Sequence, residues 1–171
     1  MSKEMVKRKN IRLDGYDYSK AGCYFITICV KDRHEMLGDI VGARIARPQL
    51  SEIGEVVEGA ITNIPIIYSN VTVDNYIIMP NHVHMIIRID DNIDGNSGRA
   101  MRAPTISTVV NQMKGYVTKQ IGFSIWQKLF HDNIIRNKNE HQKISDYIEQ
   151  NPLSWLDDCY HPKQVPQKNN H

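Results

Sequence analysis

Two short motifs contain side chains that could bind a metal ion or act as a nucleophile, and in each motif these side chains are regularly spaced. His82 and His84 follow the turn pair Pro80-Asn81, and Tyr147 precedes Asn151 by four residues. Imidazoles bind divalent metal ions, and a phenol oxygen can attack phosphorus when a nearby cation or base assists it. These residue types therefore point to metal-assisted phosphoryl transfer, provided that the fold brings the two motifs together.

The histidines lie at the start of a predicted β-strand. Apolar and β-branched runs on both sides of Pro80-Asn81 predict a hairpin, because Pro and Asn favour turns. Strand alternation places His82, His84, Ile86 and Arg88 on one face, opposite a wholly apolar set. The Cα atoms of the two histidines are then roughly 6.5–7 Å apart, so both rings can reach one ion. The pattern fits equally two half-buried histidines that hydrogen-bond to neighbours, and this alternative stays open.

Tyr147 and Asn151 belong to a predicted helix. Helical spacing puts Ile144, Tyr147, Ile148 and Asn151 on one face, so that the tyrosine and the asparagine are stacked neighbours. A free phenol has a pKa near 10 and is a poor nucleophile at neutral pH, so this tyrosine needs assistance. The structural alternative is a core aromatic followed by a helix C-cap before Pro152.

Composition and charge limit the class of protein. The chain has 171 residues, ordinary apolar and charged fractions of 41% and 23%, and a net charge of +2, which fits one globular domain that meets nucleic acid only through local patches. Three cysteines without a CxxC motif are typical of a reduced cytoplasmic protein. No signal peptide and no apolar run of membrane-spanning length is present, so we expect a soluble, cytoplasmic protein without membrane contact.

Periodicity predicts the order strand, helix, strand, strand, helix, strand and then an added helix. The predicted elements are a strand over 23–30, a helix from its cap Ser51 to Ile64 that Pro65 stops, strands over 71–79 and 82–89, a helix over 105–121 that Gly122 ends, a strand in the second half of 125–136, and a helix from its cap Asn137 to about Gln150. Two interleaved strand-helix-strand units give an α+β fold. We predict a ferredoxin-like βαββαβ sheet with an added C-terminal helix that carries the tyrosine. We expect the first and third strands to be adjacent and parallel at its centre.

A single domain is expected over residues 1–171. It comprises a basic N-terminal arm (1–20), a flexible loop (90–103) and a C-terminal tail (153–171) around the core. The candidate phosphate contacts are cationic side chains, although each is equally well explained as ordinary surface charge. They are Lys7, Arg8, Lys9, Arg12, Lys114, which lies off the apolar stripe of its helix, and Arg136.

Several segments resemble one known family. Met79-Pro-Asn-His-Val-His84, Phe130-His-Asp-Asn-Ile-Ile-Arg-Asn137 and Asp146-Tyr-Ile-Glu-Gln-Asn-Pro152 look like the single-tyrosine HUH transposases of the insertion-sequence type. Together with Arg8-Lys-Asn-Ile-Arg-Leu-Asp-Gly-Tyr-Asp-Tyr18, they most resemble the subfamily associated with repetitive extragenic palindromes (REPs). The resemblance spans nearly the whole chain and has its motifs in the family's order.

The resemblance implies the site and its reaction. His82, His84 and Asn151 match the ligands of a divalent metal, Mg²⁺ or Mn²⁺, and Tyr147 matches the nucleophile. Such enzymes cleave and rejoin single-stranded DNA at hairpin or palindromic sites through a 5′-phosphotyrosine link, with a free 3′-hydroxyl. Asn133 departs from a histidine found in many relatives, which leaves His131 and Asn133 undecided as site residues. The family usually acts as a homodimer, but some palindrome-associated members resemble monomers, and both states stay open.

Two other classes of function remain. A catalytically silent nucleic-acid-binding domain on the same sheet predicts DNA binding without strand cleavage. A small-ligand regulatory domain is also compatible with the fold, because ferredoxin-like sheets host many functions. A regulatory domain of this kind does not require two histidines and a tyrosine that lie close together.

Overall fold

The computed structural model of the protein describes residues 21–41, 47–91 and 104–162. The basic arm with Lys7, Arg8, Lys9 and Arg12, residues 92–103 of the predicted loop and residues 163–171 of the tail lie outside the described residues. The strands are β1 (Gly22–Cys29), β2 (Gly38–Asp39), β3 (Gln49–Leu50), β4 (Val71–Met79), β5 (His82–Ile89) and β6 (His131–Ile135). The helices are α1 (Glu52–Thr62), α2 (Ile64–Ile67), α3 (Ile106–Ile121) and α4 (Lys138–Gln150), with 3₁₀ turns at Lys31–Arg33 and Asn151–Asp157.

The main sheet has four strands in the order β4-β5-β1-β6. This arrangement confirms the predicted α+β class and puts the histidine strand β5 beside β1 at the centre. The expected parallel direction of these two strands was wrong, because β1 and β5 pair antiparallel, from Gly22 opposite Ile89 to Cys29 opposite His82. The reason is geometric: the crossover through α1 makes β1 parallel to β4, and the tight hairpin then reverses the chain, so β5 must run against both.

The helices begin at the residues that the sequence marks as caps. Ser51 Oγ accepts a hydrogen bond from the Gly54 amide at 3.1 Å, and Asn137 Oδ1 accepts one from the Glu140 amide at 2.9 Å. Gly122 ends α3 in the left-handed region at φ 85°. Pro65 does not act as the predicted stop, since α1 has already ended at Thr62 and Pro65 lies in the first turn of α2, where its missing N–H costs no hydrogen bond.

Each face of the sheet is covered by a different layer. On one face, alternate β1 residues such as Tyr24, Ile26 and Ile28 pack with α1 and α3 in the larger hydrophobic cluster. On the other face, Ile86 packs with Ile148 of α4 and with Trp155 of the following 3₁₀ turn. The central strand β5 is therefore buried on both sides, and α4 is held on the face that carries the histidines.

Within the described ranges, no helix is long and apolar enough to cross a membrane.

Candidate active site

His82 and His84 lie side by side at the start of β5. Their side chains are almost fully buried, at 0% and 1% exposure, and their Nε2 atoms are 3.1 Å apart. This burial differs from both sequence interpretations, which left the rings half-exposed on a polar face. It arises because α4 and the 3₁₀ turn after it cover this side of the sheet.

Hydrogen bonds to the opposite side of each ring fix its direction. His82 Nδ1 is 2.9 Å from Asn81 Oδ1, and Asn81 Nδ2 donates in turn to the carbonyl oxygens of Arg33 and Tyr160. His84 Nδ1 is 2.8 Å from Thr27 Oγ1 on the neighbouring strand. Such partners on Nδ1 leave Nε2 of each ring facing the shared space, as in histidines that hold a metal.

Burial keeps both histidines neutral. It lowers the pKa of His84 to about 3, and it lowers the pKa of His82 well below its usual range, with the charges of His84 and Arg33 acting in the same direction. A neutral imidazole is the form that binds metal ions. Close Nε2 atoms on two uncharged rings are therefore suited to share one cation.

Tyr147 extends from α4 toward the histidines. Its hydroxyl is 3.4 Å from His84 Nε2, and its ring packs edge-on against Phe25 at 6.1 Å between centroids. The side chain is 44% exposed, so the oxygen is open to a substrate from solvent. Burial raises the pKa of Tyr147, and the charge of Asp158 raises it further, whereas a hydrogen bond from Asn151 lowers it. The phenol is thus protonated at neutral pH until a cation or a base assists it.

Asn151 follows Tyr147 by four residues and lies at the C-terminal end of α4. It is 2% exposed, and its Oδ1 is a buried atom without a hydrogen-bond partner among the described residues. A buried amide oxygen left unpaired costs free energy, and a bound cation removes that cost. Two imidazole nitrogens and one amide oxygen fit a divalent ion, so the donor set agrees with the metal site implied for His82, His84 and Asn151.

Asp158 is a site residue that the sequence reasoning missed. Its carboxylate and the nitrogens of His82 and His84 form a group whose ligand atoms all lie within 4.8 Å of one another, and Asp158 is 7% exposed. Tyr160, two residues later, stacks on His82 with ring centroids 4.6 Å apart, and burial raises the pKa of Tyr160 to about 12. No local signal marks Asp158, because it reaches the site only through the chain reversal after α4.

The candidate DNA contacts fall into three groups. Those of the basic arm lie outside the described residues. Lys114 is buried, and its Nζ donates to the carbonyl oxygens of Gln127 at 2.8 Å and Lys128 at 3.3 Å, which gives it a structural role in the protein. Arg136 is exposed next to the N-terminus of α4 and remains free to meet a phosphate.

His131 and Asn133 lie on the exposed edge strand β6. They pair with Thr27 and Phe25 of β1, so their side chains are on the same face of the sheet as the histidines. Both are exposed. They flank the candidate site without belonging to the buried group.

Comparison with known proteins identifies relatives of the whole chain. No family model matches it. An uncharacterized protein of Haemophilus influenzae (strain ATCC 51907 / DSM 11121 / KW20 / Rd) is 34% identical over 167 residues, which covers 88% of this chain and 91% of that protein. A second protein of the same strain, named "Putative REP-associated tyrosine transposase", is 27% identical over 144 residues, or 80% of this chain and 73% of the relative.

A solved structure has a similar fold. It is that of a REP-associated tyrosine transposase bound to a REP hairpin, with a TM-score of 0.59 and 19% identity, and the match covers 88% of this chain and 74% of that one. At this identity the similarity concerns the fold. It agrees with the antiparallel four-stranded sheet described above.

Proposed function

We propose that the chain is a member of the REP-associated tyrosine transposases, a proposal supported by its similarity to one protein of that name and to the fold of another, and that it is a metal-dependent enzyme that cleaves and rejoins single-stranded DNA at hairpin or palindromic sites. The observation that carries this proposal is that the Tyr147 hydroxyl lies 3.4 Å from Nε2 of His84, which is itself 3.1 Å from Nε2 of His82, while four residues after Tyr147 the buried Asn151 oxygen has no hydrogen-bond partner among the described residues. A structural role alone gives no reason for a buried amide oxygen without a hydrogen-bond partner.

The proposed metal site uses residues from two elements. His82 and His84 come from β5, and Asn151 comes from the end of α4, where it also caps the helix. A divalent cation, Mg²⁺ or Mn²⁺, would supply Lewis-acid polarisation of a phosphate oxygen there. The partners on Nδ1, Asn81 and Thr27, hold the rings so that their Nε2 atoms serve as ligands.

Tyr147 is the proposed nucleophile. Its oxygen attacks the scissile phosphorus, the P–O3′ bond breaks, and the phenol becomes a 5′-phosphotyrosine. The phenolic proton is lost and the departing 3′-oxygen gains one, so the step needs no oxidant or other reactant. The link conserves the energy of the phosphodiester, and a 3′-hydroxyl can therefore attack it in reverse and join new ends.

The substrate is proposed to be DNA with an unpaired segment next to a hairpin. A phosphate must come within reach of the Tyr147 oxygen, and Tyr147 lines a cavity together with Gln150, Asn151 and Asp157, among others. A single strand can bend into such a cavity more readily than a duplex. The solved relative bound to a REP hairpin supports the choice of hairpin DNA.

The proposal is tested with labelled hairpin DNAs that carry single-stranded flanks, including the DNA next to the protein's own gene. Wild type, Tyr147→Phe and Tyr116→Phe are incubated with Mn²⁺ or EDTA and run on a denaturing gel. Tyr116 is a matched control, because it lies on α3 and is 46% exposed, close to the 44% of Tyr147. We expect a DNA adduct with wild type and Tyr116→Phe in Mn²⁺ alone.

Two results would contradict the proposal. An adduct retained by Tyr147→Phe would exclude this tyrosine as the nucleophile. Binding of the same DNAs by wild type with no adduct in any metal would favour the catalytically silent nucleic-acid-binding domain instead.

A further inference from the structure

Asp158 lies within reach of the same cation as the two histidines. We propose that Asp158 is an anionic ligand of the metal, supplied by the chain segment after the nucleophile helix, in addition to His82, His84 and Asn151. This inference rests on the proposed function and adds a carboxylate to a ligand set that is otherwise neutral. It distinguishes this chain from a site built from β5 and α4 alone.

The distances allow a shared ion. Ligand atoms of His82, His84 and Asp158 all lie within 4.8 Å of one another. Nitrogen and oxygen ligands lie about 2.0–2.2 Å from a bound transition metal, so two of them on opposite sides are about 4.3 Å apart. Closing the present group around an ion thus requires movements of only a few tenths of an ångström.

Asp158 carries its carboxylate in a nearly buried position. The residue is 7% exposed, and its Oδ1 accepts a hydrogen bond from the uncharged backbone amide of Tyr160 at 2.7 Å. A buried carboxylate is costly unless a positive charge or a metal balances it. A divalent ion between Asp158 and the histidines would supply that balance.

The local backbone fixes Asp158 at this place. Its amide donates to the Trp155 carbonyl at 3.1 Å, and its own carbonyl accepts from the His161 amide at 2.9 Å. Trp155 is 6% exposed and packs in the same cluster as Ile148 of α4. The 3₁₀ turn is therefore anchored to the sheet, and it returns the chain to the histidines with little freedom.

The resulting ligand set suits a hard divalent ion. Carboxylate and amide oxygens favour Mg²⁺ and Mn²⁺, whereas two imidazoles alone favour softer transition metals. With Asp158 included, nitrogen and oxygen donors are balanced and the site carries one negative charge. Such a set holds Mn²⁺ before any DNA phosphate arrives.

One carboxylate oxygen of Asp158 also stabilises the local turn, so the test variant must preserve that hydrogen bond. Oδ1 accepts a hydrogen bond from the Tyr160 amide at 2.7 Å. Asn in place of Asp keeps an oxygen for this bond and removes the charge. Asp158→Asn therefore tests ligation while it preserves the turn. Asp91, which is exposed and lies two residues beyond the end of β5 opposite to the histidines, offers the matched control Asp91→Asn.

The test is Mn²⁺ binding to the full chain without DNA, measured by the loss of the free Mn²⁺ electron paramagnetic resonance signal. We expect Asp158→Asn to raise the Kd about tenfold or more, Asp91→Asn to stay within about twofold of wild type, and Asp158→Glu, which retains a carboxylate, to bind more tightly than Asp158→Asn. Circular dichroism checks that each variant is folded.

The failure of this inference is distinguishable from that of the proposed function. If Asp158→Asn and Asp158→Glu both bind Mn²⁺ like wild type while His84→Ala does not, Asp158 is not a ligand and the histidine site stands. If His84→Ala also binds like wild type, or wild type binds no Mn²⁺, both the inference and the proposed metal site are overturned.

Discussion

The phenol oxygen of Tyr147 lies 3.4 Å from Nε2 of His84, although 63 residues separate them in the chain. The contact exists because α4 packs across the face of the sheet on which β5 carries its histidines. His84 is itself held by Thr27 of β1, so three elements determine one distance. The predictions below test the metal site, the docking of α4 and the roles of individual side chains.

The buried histidines make the metal-free protein less stable in acid. Folding lowers the pKa values of both histidines, so below about pH 6.5 the unfolded chain binds protons that the folded chain does not. The free energy of unfolding is therefore highest above pH 6.5 and decreases as the pH falls toward the pKa values of the folded protein. For His84, whose pKa in the folded protein is about 3, the loss at pH 5.5 is about 1.4 kcal/mol, and His82 adds a loss in the same direction. Calorimetry in EDTA should show the Tm falling from pH 7.5 to 5.

Replacing one buried histidine should flatten this pH dependence. His84→Gln removes one of the two groups, whereas His131→Gln changes an exposed histidine on β6 and should leave the slope as in wild type. A Tm that is constant or rises from pH 7.5 to 5 would show that the histidines are not held neutral by burial.

Polar contacts between β4 and α4 should position the nucleophile. Asn75 Nδ2 donates to Ser145 Oγ at 2.7 Å, and His141 Nε2 lies 3.1 Å from a carboxylate oxygen of Asp74. Asn75→Ala removes a contact to the residue two positions before Tyr147 and so loosens the helix there. Small misplacements of a reacting group cost up to about a hundredfold in rate. We expect single-turnover cleavage to slow by about 10- to 100-fold, with Mn²⁺ affinity unchanged.

The control for this variant is Asn70→Ala, just before β4. Asn70 Nδ2 donates to the Asp90 carbonyl, away from α4, so its loss should leave the cleavage rate unaltered. Equal rates for Asn75→Ala and wild type would mean that the apolar contacts of Ile148 suffice to hold the helix.

Lys114 should matter for stability and not for DNA binding. Its ammonium pairs with two backbone carbonyls, and hydrogen bonds to charged groups each contribute about 1.5–3 kcal/mol. Lys114→Met should lower the free energy of unfolding by a few kcal/mol in urea denaturation. The salt dependence of DNA affinity should not change, since no phosphate contact is lost.

Lys119→Met on the same helix provides the comparison. Lys119 is exposed, so its replacement should leave the urea midpoint within error of wild type. A reduced salt slope for Lys114→Met would instead assign this lysine to the DNA interface.

Local sequence signals were sufficient for most elements of the fold and for two parts of the site. Alternation along β5 identified the paired histidines, and caps such as Ser51 and Asn137 located the starts of the helices. The direction of β1 relative to β5 was misjudged, because it depends on counting chain reversals through the whole sheet. The position of Asp158 was missed because it depends on the packing of Trp155 in the turn after α4. The burial of Lys114 was missed because it depends on the course of the loop that contains Gln127.

The most direct test of the account is the identity of the residue that carries DNA. The adduct formed by wild type in Mn²⁺ is digested with trypsin and nuclease, and the peptide over residues 144–163, which contains both Tyr147 and Tyr160, is fragmented by mass spectrometry. Tyr160 is the main alternative nucleophile within this peptide, since its ring packs directly against His82. We predict a nucleotide phosphate on Tyr147 alone. A phosphate on Tyr160, or an adduct in which this peptide is unmodified, would contradict the central claim.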